Sequence, residues 1–196
     1  IFGFLGPNGA GKTTTIRLLS GLAHPTAGQA WVAGVAIGTD HQAAHKIGYL
    51  PEEPAFYPYF TPLEYLDHVG RLFNLSPGER RKRIDELLEL TGLTQVKKRR
   101  IGGFSRGMRQ RMGLAQALIN QPQVLLLDEP VSALDPLGRK EILDLIERLR
   151  GQCTIFMSTH ILADVERVCD SVGIIHKGKL LVKSNKNELL ERYALP

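Results

Sequence analysis

The sequence predicts an α/β fold built on a mostly parallel sheet with helices on both faces. Short apolar runs at Ile1–Leu5, Val124–Leu127 and Cys153–Ser158 alternate with segments of helical periodicity. Strands buried on both faces read in this way, and the alternation is that of a covered parallel sheet. The length of 196 residues suits one sizeable core and is short for two ordinary domains. A composition of 43% hydrophobic and 23% charged residues is that of a globular chain and not a disordered one.

Taken in order, IFGFL reads as a buried strand that runs into the turn Gly6-Pro7-Asn8-Gly9. A helix follows over Lys12–Leu22, with Ile16, Leu18 and Leu19 on its buried face. The Gly-punctuated stretch Thr26–Thr39 holds Trp31, Val32, Val35 and Ile37, which suggests short strands. From Pro54 to about Asn120 the pattern is helical, and this block is expected to be a subdomain inserted into a single domain spanning residues 1–196. Val124–Leu127 is a second buried strand, followed by Asp128 and Glu129. Arg139–Arg150 has Ile142, Leu145, Ile146 and Leu149 on one helical face. Cys153–Ser158 is the third buried strand and ends at Thr159-His160. Val172–Ile175 and Leu180–Val182 read as paired strands around the Lys177-Gly178 turn, and Asn187–Tyr193 as a terminal helix.

Composition excludes several functions. No run approaches the ~20 apolar residues of a membrane-spanning helix. No secretory leader is visible at the start, which is Ile1 and not Met. Cys153 and Cys169 form no CxxC pair, so packed thiols are expected in place of a disulfide framework or zinc site. The 25 Lys+Arg against 20 Asp+Glu give a net charge of +5, much of it in Arg80–Arg83 and Lys97–Arg100. No aromatic residues interleave with these runs, which therefore read as solvated faces, and no nucleic-acid partner is expected.

The strongest chemical signal is Gly6-Pro7-Asn8-Gly9-Ala10-Gly11-Lys12-Thr13, a full GxxxxGK[ST] between a predicted strand and a predicted helix. Its glycines let backbone N–H groups turn inward around phosphate oxygens, and the helix start adds a positive dipole end. Lys12 suits the β- and γ-phosphates and the Thr13 hydroxyl suits Mg²⁺. A dinucleotide fingerprint begun at Gly9 fails at Thr14, which stands where a glycine is needed. The Val124–Leu127 strand is expected beside this loop, with Asp128 as a second Mg²⁺ anchor and Glu129 turned to the γ-phosphate as general base for water. His160, at the end of the next strand, is placed to donate to the γ-phosphate. Asn185-Lys186-Asn187-Glu188 falls one residue short of the guanine-reading NKxD and reads as a turn and helix start.

With these residues assembled, the chain resembles the ATP-binding domain of ABC transporters, a P-loop NTPase (RecA-like) fold, from Ile1 to about Leu190. The Walker A loop is Gly6–Thr13. Gly48-Tyr49-Leu50-Pro51-Glu52 is similar to the Q-loop, with Glu52 where the family usually has Gln. Phe104-Ser105-Arg106-Gly107-Met108 is similar to the LSGGQ signature, matching at Ser105 and Gly107. Val124–Glu129 is similar to Walker B, Ser132-Ala133-Leu134-Asp135 to the D-loop, and Ser158-Thr159-His160 to the H-loop.

The resemblance implies a head-to-tail dimer, identical or mixed. ATP would lie between the Walker A loop, Thr14 included, of one subunit and the Ser105–Met108 signature of the other. It implies Glu129 and His160 as catalytic residues, and Thr13, Asp128 and Glu52 at the metal. It also implies transmembrane permease subunits as partners and a cytoplasmic, membrane-peripheral place. The Glu52 form and the signature look most like exporter ATPases of the multidrug type. The family's N-terminal antiparallel strands and adenine-stacking aromatic are expected outside this chain, since only Ile1–Leu5 precede Gly6. A non-transport ATPase acting on nucleic acid or ribosomes is the alternative. Against it, the segment between Lys12 and Ser105 has no Cys and no heptad run. Phe56, Tyr57, Tyr59 and Phe60 are read either as a satellite core or as a docking surface for a membrane subunit.

Overall fold

Eight strands and seven helices alternate along the computed structural model, which describes residues 1–38 and 42–193. The strands are β1 (Phe2–Leu5), β2 (Trp31–Val32), β3 (Val35–Ala36), β4 (Ile47–Leu50), β5 (Val124–Leu127), β6 (Thr154–Thr159), β7 (Ser171–His176) and β8 (Lys179–Asn185). The helices are α1 (Lys12–Leu19), α2 (Pro62–Leu72), α3 (Pro77–Leu90), α4 (Arg106–Ala117), α5 (Pro136–Arg148), α6 (Leu162–Val168) and α7 (Lys186–Tyr193).

The main sheet has the order β4-β5-β6-β1-β7-β8 and is parallel except at the β7–β8 hairpin. This is the mostly parallel α/β sheet that the sequence predicts. β6 lies between β1 and β5 and pairs with both, while the end of β5 still reaches the loop after β1, where Glu129 lies 3.1 Å from Lys12 Nζ. Crossover connections let later strands insert between earlier ones, a choice that no local pattern encodes.

The strands are buried on both faces. Leu125 and Leu127 point into the larger core with Leu50, Leu66, Met112, Ile146 and Met157, whereas Leu126 points to the opposite face beside Ile16, Val32 and Ile47. Each such side chain contributes ~1.5–3 kcal/mol on burial.

Two elements have no counterpart in the sequence reading. β4 is one of the two edge strands of the main sheet, and it passes so close to α4 that a Cβ at Gly48 would lie 2.0 Å from the Ala117 carbonyl oxygen. Its four residues, with Gly at the second, carry too little periodicity to mark a strand. α6 is short, and no side chain caps its start.

Several ends also move. α1 stops at Leu19, where the Leu22 amide folds back onto the Arg17 carbonyl. α5 starts at Pro136 because Asp135 caps it. Residues 54–60 are not helical, so the helical region begins at Pro62 behind the Thr61–Glu64 capping box. Thr39, the expected end of the stretch holding β2 and β3, lies outside the described residues. Cys153 and Cys169 are free, and burial pushes the Cys169 thiol up to about 11. Among the described residues no helix is long and apolar enough to cross a membrane.

Candidate active site

The loop between β1 and α1 is anchored from below. The Gly6 amide donates to the Thr159 carbonyl at the end of β6 (3.2 Å), and the Gly178 amide donates to the Ala10 carbonyl (2.9 Å). Gly11 stands before α1 at φ 108°, a left-handed setting that glycine adopts at little cost, and no side chain caps this helix. The first-turn N–H groups of α1 therefore face outward as an anion site. Lys12 is buried at 5% exposure, and its ammonium donates to the carbonyls of Gly6 (2.8 Å) and Pro7 (3.2 Å).

Across the cleft, the chain leaving β5 carries Asp128 and Glu129 in different directions. Asp128 is buried, and its Oδ1 accepts from the Ser158 hydroxyl at 2.7 Å. The same hydroxyl accepts from the Glu129 amide at 2.9 Å, so Ser158 holds the side chain of Asp128 and the backbone of Glu129. Glu129 sits at φ 46°, a left-handed conformation costly for a side-chain-bearing residue and typical of sites where position outweighs strain. One carboxylate oxygen lies 3.1 Å from Lys12 Nζ and the other 3.0 Å from His160 Nδ1. The first oxygen is buried and receives no hydrogen bond of good geometry, so the lysine contact is a charge pairing that leaves acceptor capacity. The Ser132 hydroxyl donates to Glu52 at 2.9 Å and brings that carboxylate to the same cleft.

These groups enclose a cavity of about 410 Å³, lined by Asn8, Gly9, Gly11, Lys12, Thr13 and Thr14 on one side and Glu52, Glu129, Ser132 and His160 on the other. Of the other residues expected in the site, Gly6 and Pro7 act through the carbonyls that hold Lys12. Ala10 packs with Phe4 and Ile175, and Asp128 lies behind the wall with Ser158. Burial, and then the charge of Asp128, push the Tyr49 phenol above its ordinary range. A larger cavity of about 670 Å³ among Leu63, Asp67, Arg80, Ile84 and Lys97 is remote from this loop and has no glycine cradle.

The signature residues are not brought to the cavity. Ser105 caps α4 by accepting from the Met108 amide (3.2 Å) and is itself exposed; Gly107 has open space beside it. Arg106 leans 3.7 Å from Glu53, toward its own chain's Glu52–Ala55 segment. Asp135 is exposed and caps α5 through the Gly138 amide (3.3 Å). Ser158 and Ser132 belong to recognised motifs, but their bridging roles were not foreseen. A hydroxyl at a strand end has no special meaning until its neighbouring strand is known.

The donor set fits a nucleotide triphosphate with Mg²⁺. A buried ammonium, open N–H groups and a glycine loop suit phosphate oxygens. Among the described residues no cluster of three His, Cys, Asp or Glu side chains is placed to hold a metal alone. Thr13 and Glu52 instead offer scattered oxygens at the cavity, with the expected anchor Asp128 set behind its wall, as suits an ion that shares its coordination with phosphates and water. Fold and loop together define a P-loop nucleotide-binding protein.

The chain belongs to the ABC transporter family, whose profile matches residues 1–132. An uncharacterised ABC transporter ATP-binding protein of Synechocystis is 47% identical over 192 residues, covering 96% of this chain and 54% of the relative. The bacitracin transport ATP-binding protein BcrA of Bacillus licheniformis is 44% identical over 195 residues, covering 98% of this chain and 63% of the relative. Among solved structures, the ATP-binding cassette MJ0796, a dimer bound to ADP and Pi after hydrolysis, superposes with a TM-score of 0.83 at 25% identity. It covers 94% of this chain and 84% of that one. The chain thus spans between about half and two thirds of the length of these curated relatives.

Proposed function

We propose that this chain is the ATP-binding and hydrolysing part of an ABC exporter, working at a head-to-tail dimer interface and driving transport through separate membrane subunits. The observation that carries the reading is Glu129, held in a left-handed turn between Lys12 at 3.1 Å and His160 at 3.0 Å, over the phosphate loop. Lys12 and the N–H groups of the loop bind the β- and γ-phosphates. Glu129 orients and deprotonates the attacking water, and His160 holds the γ-phosphate. Mg²⁺ would be held by Thr13 and Glu52, with Asp128 behind them, and would neutralise phosphate charge.

The exposed Ser105 and the half-buried Gly107 stand away from their own chain's cavity, which is the arrangement that a head-to-tail partner requires. The MJ0796 dimer and the transport named for BcrA support this reading. Tyr57 and Tyr59, at 56% and 59% exposure, form the docking face for a permease, which would keep the chain at the cytoplasmic side of a membrane. The deciding experiment is equilibrium ATP binding and phosphate release by the full-length protein with its membrane subunits. Lys12→Ala should weaken ATP binding itself. Unchanged ATP affinity in that variant would remove the basis of the reading.

A further inference from the structure

A charge pair outside the cavity, its carboxylate buried and its guanidinium half-buried, grips the chain on both sides of His160. Asp164, in α6, is 1% exposed. Its Oδ1 accepts from Arg139 Nε at 2.8 Å and from Nη2 at 2.6 Å, and its Oδ2 accepts from the Thr159 hydroxyl at 3.3 Å. The Thr159 hydroxyl oxygen in turn accepts from the Ile161 amide at 3.1 Å. The residues before and after His160 are thus both tied to one carboxylate. The anchor is α5, where the Arg139 amide donates to the Asp135 carbonyl at 2.9 Å, one turn from the capping carboxylate.

Cohesion alone does not call for this pair. Ile142, Leu143, Val165 and Val168 already join α5 and α6 in the apolar core. A buried ion pair adds little over apolar residues of the same volume, whereas its geometry is directional. Two guanidinium nitrogens on one oxygen and a hydroxyl on the other fix the carboxylate in place and angle. His160 has a 41% exposed side chain, and its ring contact among the described residues is the one to Glu129. Its setting therefore depends on how its backbone is held.

We infer that Arg139, Asp164 and Thr159 are positioning residues that fix His160 against Glu129 and tie its setting to the Asp135-capped start of α5. This inference rests on the proposed hydrolytic function for its kinetic consequence and on geometry alone for its structural one. If Asp135 faces a second subunit, a shift of that turn is transmitted to His160 through a single side chain.

The test uses the full-length protein as Arg139→Ala and Arg139→Lys, with His160→Ala alone and combined with Arg139→Ala. Lysine keeps the charge that Asp164 needs but not the two-point contact, so it separates folding from positioning. Expected are an unchanged ATP affinity and a kcat reduced on the order of tenfold or more in both Arg139 variants. Adding Arg139→Ala to His160→Ala should cost nothing further, since the two act as one unit. Independently of turnover, the His160 imidazole resonances should shift and the Ile161 amide should exchange faster in Arg139→Lys. Full turnover in Arg139→Lys, or losses that multiply, would overturn the clamp, as would an unchanged His160 signal and Ile161 protection. A parent protein that releases no phosphate would instead overturn the hydrolytic reading. The resonance and exchange data would then decide the clamp alone.

Discussion

The phosphate loop and the signature surface are built in opposite ways. At the phosphate loop, Lys12, Asp128, Glu129 and Ser158 are all nearly buried, and each is held by named partners from a different strand end. At the signature and the D-loop, Ser105 and Asp135 are exposed and their side chains only cap helices, while Arg106 leans on Glu53. Buried charges need partners fixed in advance, because leaving one unpaired costs several kcal/mol. Exposed caps need none, and they remain available to a second surface. The first region is a finished half-site. The second is a surface whose chemistry awaits another molecule.

The largest expected effect breaks the finished half. Glu129→Gln should leave ATP binding intact and lower turnover on the order of 10² or more, measured as phosphate release at saturating ATP. Equal turnover in variant and parent would remove Glu129 as general base.

The next prediction tests the unfinished half. Ser105→Ala should lower turnover by on the order of tenfold in a dimer, yet a mixed dimer with a Glu129→Gln partner should retain one active site only in the arrangement where intact halves face each other. Activity set by each chain on its own would contradict a shared site.

Glu52 lies between the two regions, bonded to Ser132 at 2.9 Å. Its charge adds repulsion near the γ-phosphate that a metal offsets. Glu52→Gln should therefore bind metal-free ATP better and gain less from added Mg²⁺, as read by nucleotide titration with and without the ion. An identical metal enhancement would place Glu52 outside the metal site.

A smaller effect concerns the aromatic segment. Phe56 and Phe60 pack against the core, whereas Tyr57 and Tyr59 stand in solvent. Tyr57→Ala with Tyr59→Ala should change stability by less than about 1 kcal/mol and reduce co-purification with the membrane subunits. Retained assembly would leave the tyrosines without a docking role.

The smallest effect is on acid stability. Arg80, and to a lesser degree Arg71, hold the Asp67 carboxyl below the ordinary carboxylate range. A depressed folded-state pKa stabilises above the unfolded value, and that contribution is lost as pH falls through the folded value. Asp67 is 35% exposed on its side chain, so the loss in Asp67→Asn at neutral pH should be only about 0.5 kcal/mol. Parent and variant should differ in melting temperature at pH 7 and converge only as the pH falls below the ordinary carboxylate range.

Legibility of the site followed the spacing of its parts. Gly6–Thr13 is contiguous and its function depends on its own backbone, so strand, turn and helix start were all readable together. Asp128 and Glu129 were readable because an apolar strand delivers them. Arg139 and Asp164 gave no signal, since a cation in one helix and an acid in another pair only after α5 and α6 pack. β4 was missed for a similar reason, as its place is set by α4 and β5 and not by its own pattern.

The sequence by itself determined the elements whose information is local: the phosphate loop, the apolar strands, the periodic helices and the family motifs in order. Their neighbours were decided only by tertiary structure. It put β6 between β1 and β5, turned Asp128 away from the cavity and Glu129 into it, and brought Ser158 under both. It also tied His160 to α5 through one buried carboxylate. Strand order and side-chain direction at a strand end depend on contacts between residues far apart in the chain, and such contacts exist only once the sheet is assembled.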